Sequence, residues 1–95
     1  MKFGALLRQL RTKSGIGIKG LAPRLGVSYS YLSKLENEEV GPSEDLVRRV
    51  AKYFDYDRDH LLLAADKVPP EILNILRENP DEAIQFLKER FGGKQ

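Results

Sequence analysis

Residues 26–37 read GVSYSYLSKLEN, and this stretch decides how the rest of the chain is interpreted. Gly26 can adopt the left-handed backbone conformation that ends a helix, and Ser28 is a favourable N-cap for the next one. In a helix that begins there, Tyr31, Leu32 and Leu35 share an inward face. Four side chains then face outward, where they are free to contact another molecule: Tyr29, Ser30, Ser33 and Lys34.

A second short helix precedes this turn, over roughly residues 18–25. Apolar side chains are spaced to meet where the two helices cross: Leu21, Ala22, Leu25, Val27, Leu32 and Leu35. Ala22 contributes by being small, since a larger side chain would push the helices apart. Two short helices joined by a glycine-containing turn form a helix-turn-helix. In that motif the second helix enters the major groove of DNA, with its N-terminal residues on the base edges.

The remainder of the chain is also predicted to be helical, because no run of alternating β-branched residues is long enough for a strand. Ser43, Asp57 and Asn79 are predicted to cap the fourth, fifth and seventh helices. Gly15 and the Gly92-Gly93 pair favour helix ends. Together these signals predict helices at residues 3–13, 18–25, 29–37, 44–54, 58–65, 70–78 and 80–91.

Composition narrows the class of protein. The 95 residues suffice for one small domain with a short extension, and the absence of cysteine excludes disulfides and thiolate chemistry. Residues 1–37 carry seven Lys/Arg and one acid, whereas residues 38–95 carry nine Lys/Arg and thirteen acids. This asymmetry favours a polyanionic partner for the first part, although charges that merely solvate a surface would produce the same count. With no membrane span and no signal peptide in the pattern, we expect a cytoplasmic protein.

The sequence does not favour an enzyme. It contains no nucleophile–base pair at a recognisable spacing and no phosphate-cradling glycine loop. Asp55, Asp57, Asp59 and His60 form the one cluster that resembles a metal site, but their position around a predicted helix start suits capping better. We therefore expect no metal and no cofactor.

The sequence LAPRLGVSYSYLSKLEN at residues 21–37, followed by GPSEDLVRRVAKYFDYDRDHLL at residues 41–62, resembles the Cro/phage-repressor family of helix-turn-helix regulators, also called the xenobiotic-response-element family. The resemblance covers about residues 3–66. It implies a five-helix DNA-binding bundle that usually binds palindromic operators as a dimer. We therefore expect a DNA-binding domain at residues 1–66 and a C-terminal segment of two short helices at residues 67–95.

Position by position, the resemblance implies base contacts from Tyr29, Ser30 and Lys34, with Ser33 as a weaker candidate. Lysine can donate to guanine O6 and N7, and serine can donate or accept at several bases. The alternative is that Tyr29 and Lys34 are ordinary solvated surface residues.

The resemblance also implies phosphate contacts. Asn37 lies just past the recognition helix, and Lys19 lies at the start of the second helix, where backbone N–H groups are available as well. Arg24, on the second helix, is a further candidate for a phosphate contact and adds long-range attraction. The spacing of Tyr31 favours packing, and a phosphate contact through its hydroxyl is the alternative.

One structural ion pair is implied inside the domain. The family pairs an arginine of the first helix with the glutamate that ends the third, here Arg11 with Glu36. A partly buried pair would hold the recognition helix on the bundle, although the desolvation of both charges can cancel their attraction.

Three features depart from the family pattern. Gly17 and Ile18 stand where many members have a polar cap and a phosphate-binding glutamine. Pro23 lies inside the second helix and is expected to bend that helix or delay its start. Glu38 and Glu39 occupy a loop that is commonly basic, and they would repel phosphate unless the loop points away from DNA.

The C-terminal segment has apolar faces that a two-helix hairpin cannot bury by itself: Ile72, Leu73, Ile75 and Leu76 in one helix, and Ile84, Leu87 and Phe91 in the other. Either these helices cap the core or they meet a second copy. We favour dimerisation through Ile84, Leu87 and Phe91, because a helix-turn-helix needs two copies to read half-sites about one DNA turn apart.

We therefore predict a sequence-specific transcriptional regulator of the repressor type that binds double-stranded DNA as a homodimer. The alternative is an antitoxin-like or protease-controlled interaction module whose C-terminal half binds a protein partner.

Overall fold

The computed structural model describes residues 1–93, so the last two residues of the predicted C-terminal segment lie outside it. All regular structure in this range is helical, which confirms the predicted all-α class. None of the described helices is both long and apolar enough to cross a membrane. The helices are α1 (Phe3–Lys13), α2 (Ile18–Leu25), α3 (Tyr29–Glu36), α4 (Glu44–Phe54), α5 (Arg58–Ala64), α6 (Pro70–Glu78) and α7 (Pro80–Phe91).

Local capping explains where three of the helices begin. The side chains of Ser28, Ser43 and Asp57 each accept a hydrogen bond from the backbone N–H three residues later, at 3.0, 3.1 and 2.9 Å. These bonds satisfy donors that the first helical turn leaves unpaired. The three predicted caps are confirmed. At the other end, α3 and α5 each stop one residue earlier than predicted, because Asn37 and Ala65 are the C-caps.

The start of α7 differs from the prediction. Asn79 occupies the N-cap position but makes no side-chain capping bond to α7. Its Nδ2 instead donates to the carbonyl of Ile75 at 3.2 Å, which serves the end of α6. The predicted role of this side chain was therefore wrong. The carbonyl groups at the end of α6 lack helical partners and attract the Nδ2 group of this amide, so its oxygen does not serve the first turn of α7.

The turn between α2 and α3 has the expected geometry. Gly26 has a φ of 73°, and the next residue, Val27, donates its N–H to the Ala22 carbonyl at 3.0 Å. Pro23 lies inside α2, which begins at Ile18 as predicted, so of the two expected effects, a bend or a delayed start, the delayed start does not occur. Because Pro23 lies well after the first turn, it removes an interior donor without displacing the start.

The hydrophobic core lies where α1 to α5 meet. On α3, Leu32 and Leu35 are both buried, which confirms the inward face predicted for this helix. Burying a leucine or valine side chain contributes about 1.5–3 kcal/mol, so this cluster is the main apolar contribution that opposes unfolding of the bundle. Its members are Phe3, Leu7, Leu21, Ala22, Leu25, Leu32, Leu35, Leu46, Val47, Val50, Ala51, Leu61 and Leu62.

The hairpin of α6 and α7 lies outside this core. The extensive contacts of these two helices are with each other, and neither contains a buried residue. A long ion pair, 3.8 Å between Arg58 Nη2 and Glu71 Oε2, joins the hairpin to α5. The described chain is accordingly elongated, 46 × 27 × 24 Å. Six apolar side chains of the hairpin remain substantially exposed: Ile72, Ile75, Ile84, Phe86, Leu87 and Phe91.

Candidate nucleic-acid interface

The outward side of α3 forms a polar ridge on the surface of the bundle. Tyr29 is 53% exposed, and Ser30 and Lys34 are exposed as well. Ser33 is half-buried, in keeping with its weaker candidacy. These four residues are called the recognition ridge below. Because Leu32 is fully buried directly beneath them, the ridge is both accessible and fixed to the core.

Tyr31 lies between the ridge and the core. Its side chain is partly buried and packs against the hydrophobic cluster. This is the arrangement that its spacing favoured. A phosphate contact through its hydroxyl stays a prediction.

A buried carboxylate fastens α3 to α1. Arg11 Nε lies 2.6 Å from Glu36 Oε2 and Arg11 Nη2 lies 2.9 Å from Oε1, so the guanidinium grips both oxygens. The Glu36 side chain is only 1% exposed. The hydrogen bond to Glu36 raises the pKa of Arg11 above its ordinary value, and burial opposes that shift. The structure thus brings together the two residues that the resemblance paired.

Arg8 joins the same network, and the sequence prediction did not include it. Its Nε donates to Glu36 Oε1 at 3.2 Å, and its Nη2 donates to Asn37 Oδ1 at 3.0 Å. The signal was present in the spacing, because Arg8 and Arg11 are three residues apart and lie on one face of α1. Asn37, predicted to contact phosphate, is therefore positioned by a side chain from another helix.

The acidic loop after α3 turns back towards α1. Glu38 has a left-handed backbone, with φ of 61°, and its Oε2 accepts a hydrogen bond from the Ala5 N–H at 3.2 Å. The carboxylate thereby lies at the positive end of α1, which has no side-chain cap of its own. The loop approaches α1 so closely that a Cβ on Gly4 would overlap the carbonyl oxygen of Leu35. The carboxylate of Glu38 is thus hydrogen-bonded to the backbone of α1, while Glu39 is exposed.

The start of α2 offers a second set of donors. Gly17 is the N-cap and makes no side-chain hydrogen bond, and Ile18 packs against the core. The first-turn N–H groups of α2 therefore receive no side-chain cap. Lys19 is exposed on the same turn, where it adds positive charge.

Arg24 is directed to a different neighbour. Its Nη1 donates to the hydroxyl of Tyr53 on α4 at 3.2 Å. The two residues line an open groove together with Arg49 and Lys52. The guanidinium of Arg24 is thus held by α4, and its predicted phosphate contact stays a prediction.

The cluster of acidic residues around His60 serves the start of α5. The backbone N–H of His60 donates to the Asp57 carboxylate and lowers the pKa of that group below its ordinary value. Asp59 Oδ1 lies 3.6 Å from Arg58 Nε. Within residues 1–93, no three His, Asp or Glu side chains are gathered in a way that could hold a metal ion.

Comparison with known families assigns the motif. The pattern of the helix-turn-helix domain family matches residues 2–64, a range that spans α1 to α5. The chain belongs to the helix-turn-helix domain family.

Several regulators are similar to this chain. ImmR, an HTH-type transcriptional regulator of Bacillus subtilis, is 27% identical over 89 residues, covering 94% of this chain and 70% of that protein. The propionyl-CoA carboxylase regulator of Cereibacter sphaeroides is 43% identical over 54 residues, covering 57% of this chain but only 12% of that protein. Rv0474, an uncharacterized HTH-type transcriptional regulator of Mycobacterium tuberculosis, is 29% identical over 75 residues, covering 79% of this chain and 54% of that protein.

Two solved structures share the fold of this helix-turn-helix protein. The clp gene regulator ClgR of Corynebacterium glutamicum superposes with a TM-score of 0.59 at 25% identity, over 94% of this chain and 89% of that chain. A chain of the SinR/SinI protein complex superposes with a TM-score of 0.59 at 24% identity, over 93% of each chain. The resemblance to Cro/repressor-like regulators is confirmed, and this chain is a member of a family of DNA-binding transcriptional regulators.

Proposed function

We propose that this protein is a sequence-specific transcriptional repressor of the cytoplasm that binds a palindromic operator as a homodimer. The observation that carries the proposal is the recognition ridge of α3. Its polar side chains are accessible, while Leu32, Leu35 and Glu36 beneath them are buried and hold the helix in one position. A helix fixed in this way can enter a major groove without first paying the entropy of ordering its side of the interface.

Each residue of the ridge has a chemistry suited to base edges. Lys34 can donate to guanine O6 and N7, and Ser30 and Ser33 can donate or accept. The ring of Tyr29 can contact a thymine methyl group. We assign base contact to these four residues.

The residues around the ridge suit the DNA backbone. Lys19 and Asn37 lie on the first turn of α2 and at the end of α3, the two places from which the motif reaches phosphates. Tyr31 and Arg24 are assigned weaker phosphate contacts, because the first is partly buried and the second is bonded to Tyr53.

Selection of bound duplexes from a random DNA pool tests the proposal. We expect enrichment of a site with two inverted half-sites whose centres lie about one helical turn apart. Lys34→Ala should change the preferred sequence, and Lys19→Ala should weaken all sequences alike and flatten the salt dependence. A pool in which no sequence is enriched at low ionic strength would contradict the assignment of a sequence-specific regulator.

Dimerisation is assigned to the segment at residues 67–95, attached to a DNA-binding domain at residues 1–66. Support comes from Ile84, Leu87 and Phe91, which share one face of α7 and are exposed in the single chain. An apolar face of this kind on a hairpin without a core of its own is typical of an interface. The domain division and the dimer are parts of the proposal.

A matched pair of substitutions tests this interface. Leu87→Gln should shift the full chain from dimer to monomer in sedimentation velocity. Phe86→Gln is the control, since Phe86 is also exposed but lies about 100° further around α7. Equal effects of the two substitutions, or a wild-type chain that sediments as a monomer at all concentrations, would exclude dimerisation through this face.

A second candidate function is a protein-interaction module in which the hairpin binds a protein partner. The exposed apolar residues of α6 and α7 favour it, and the similar SinR chain was solved in complex with SinI. The two functions are separable. An interaction module would enrich no DNA site and would remain monomeric until its partner covers Ile84 and Leu87.

A further inference from the structure

We infer that Arg8 and Asn37 together bind one phosphodiester group of the DNA backbone and form a phosphate clamp. Arg8 lies on α1, outside the two helices of the helix-turn-helix motif. The inference rests on the proposed DNA binding. It adds a residue of α1 to the interface and assigns that residue an anionic ligand.

The charges of the Glu36 network favour an anionic ligand. One carboxylate, Glu36, is shared between two guanidinium groups, Arg11 and Arg8. The network therefore carries one net positive charge. Arg11 is nearly buried and grips both carboxylate oxygens, whereas the Arg8 side chain is 53% exposed and makes a longer, single contact with Glu36. The uncompensated charge accordingly lies on the solvent side, on Arg8.

The hydrogen bond between Arg8 and Asn37 sets the polarity of the clamp. Because Arg8 Nη2 donates to Asn37 Oδ1, the amide oxygen is turned towards Arg8. The Nδ2 group, which carries two donors, is then the end of the amide left for a ligand. An anion next to Asn37 therefore meets donors from the amide and from the guanidinium, while the neighbouring Glu38 carboxylate is hydrogen-bonded to the Ala5 N–H.

The position of the clamp is fixed by the backbone on which it stands. Asn37 is the C-cap of α3, and its N–H donates to the Ser33 carbonyl at 3.0 Å. The following two N–H groups, of Glu38 and Glu39, also donate back to α3, at 3.2 and 2.9 Å. Two adjacent donors on a fixed frame match the two non-bridging oxygens of a phosphodiester, as a guanidinium fork matches a carboxylate.

The first test measures binding of the full chain to a duplex by fluorescence anisotropy over a series of salt concentrations. We expect Arg8→Ala to weaken binding about tenfold for specific and unrelated duplexes alike. The slope of log affinity against log salt concentration should become shallower by about 0.9, the amount that corresponds to one phosphate contact. Arg8→Lys keeps the charge, so it should keep the slope while losing part of the affinity. Asn37→Ala on top of Arg8→Ala should add little, because the amide has already lost its orientation.

Arg48→Ala is the matched control. Its side chain is 56% exposed, close to the 53% of Arg8, and its acidic neighbour Glu44 lies on the same helix. Circular dichroism checks that Arg8→Ala leaves the fold intact, as expected because Arg11 still holds Glu36. Binding and salt slope unchanged in Arg8→Ala, or reduced equally in Arg48→Ala, would overturn the clamp.

A second test uses inorganic phosphate and no DNA. Nitrogen-15 NMR of the wild-type chain should show the Asn37 side-chain amide and the Arg8 Nε signals shifting together as phosphate is added, and Arg8→Ala should abolish the Asn37 shift. Absence of both shifts in the wild type overturns the clamp even if the chain binds DNA. If both shifts occur and no duplex is bound, the anion site stands and the proposed function fails.

Discussion

The bundle of α1 to α5 and the hairpin of α6 and α7 are built from helices with similar local signals, yet they bury very different amounts of surface. Each helix of the bundle contributes buried apolar residues, and the two helices of the hairpin contribute none. An amphipathic pattern decides which face of a helix is apolar, but only a neighbour can remove that face from water. Short helices gain most of their stability from such packing, so the hairpin depends on further contacts far more than the bundle does.

The largest expected effect compares one leucine from each region. Leu32→Ala should lower the free energy of unfolding by about 3 kcal/mol, because the side chain is fully buried and leaves a cavity. Leu87→Ala, at a side chain that is 44% exposed, should cost under about 1 kcal/mol in the monomer. Chemical denaturation of dilute protein followed by circular dichroism measures both. Similar losses at the two positions would show that α7 has a buried partner within its own chain.

The next comparison concerns glycines at which a neighbouring backbone leaves little room for a Cβ atom. A Cβ at Gly4 would overlap backbone atoms at the end of α3, so Gly4→Ala should destabilise the bundle by about 1–3 kcal/mol. A Cβ at Gly92 would lie 2.9 Å from the Lys88 carbonyl, but this exposed helix end can shift, and Gly92→Ala should cost under about 0.5 kcal/mol. The change in thermal midpoint measures both. An innocuous Gly4→Ala would mean that α1 and α3 are less tightly joined than their geometry indicates.

Removing a helix-terminal hydrogen bond should give a smaller difference in stability between the bundle and the hairpin. Ser43→Ala removes a bond to the N-terminus of α4 and should cost about 1 kcal/mol. Asn79→Ala removes an exposed bond to the end of α6 and should change global stability by no more than a few tenths of a kcal/mol. Denaturant midpoints test this order. A larger loss at Asn79 would indicate that the hairpin unfolds together with the bundle.

The smallest effect is on the pH dependence of stability. The pKa of Asp57 is lowered, chiefly by the hydrogen bond from the His60 N–H, so the carboxylate stabilises the folded chain fully above its ordinary pKa of 3.8. That contribution is lost as the pH falls through the lowered pKa. Asp57→Asn keeps a capping oxygen that does not titrate, so its stability should decline less than that of the wild type between about pH 5 and about pH 2. Asp81→Asn in the first turn of α7 controls for the loss of one negative charge, and parallel curves for wild type and Asp57→Asn would contradict this role.

Local signals were sufficient to predict the helices and the faces they present. Ser28, Ser43 and Asp57 act on backbone donors three residues away, and Gly26 acts on its own φ, so their effects are contained in short stretches of chain. The inward and outward faces of α3 follow from helical spacing in the same way. The pairing of Arg11 with Glu36 was available only through the family resemblance, because no local rule joins residues 25 positions apart.

By itself, then, the sequence determined where helices begin and, to within one residue, where they end, which side of each is apolar, and that α3 carries a polar ridge. Only the tertiary structure decided that Arg8 shares Glu36 and orients Asn37, that Glu38 lies against the start of α1, and that Arg24 is held by α4. It also decided that the hairpin leaves its apolar faces uncovered. The physical reason is the separation along the chain over which each kind of interaction acts. Capping and periodicity act within one or two turns, whereas these contacts join residues 28 to 33 positions apart and exist only after the helices have packed.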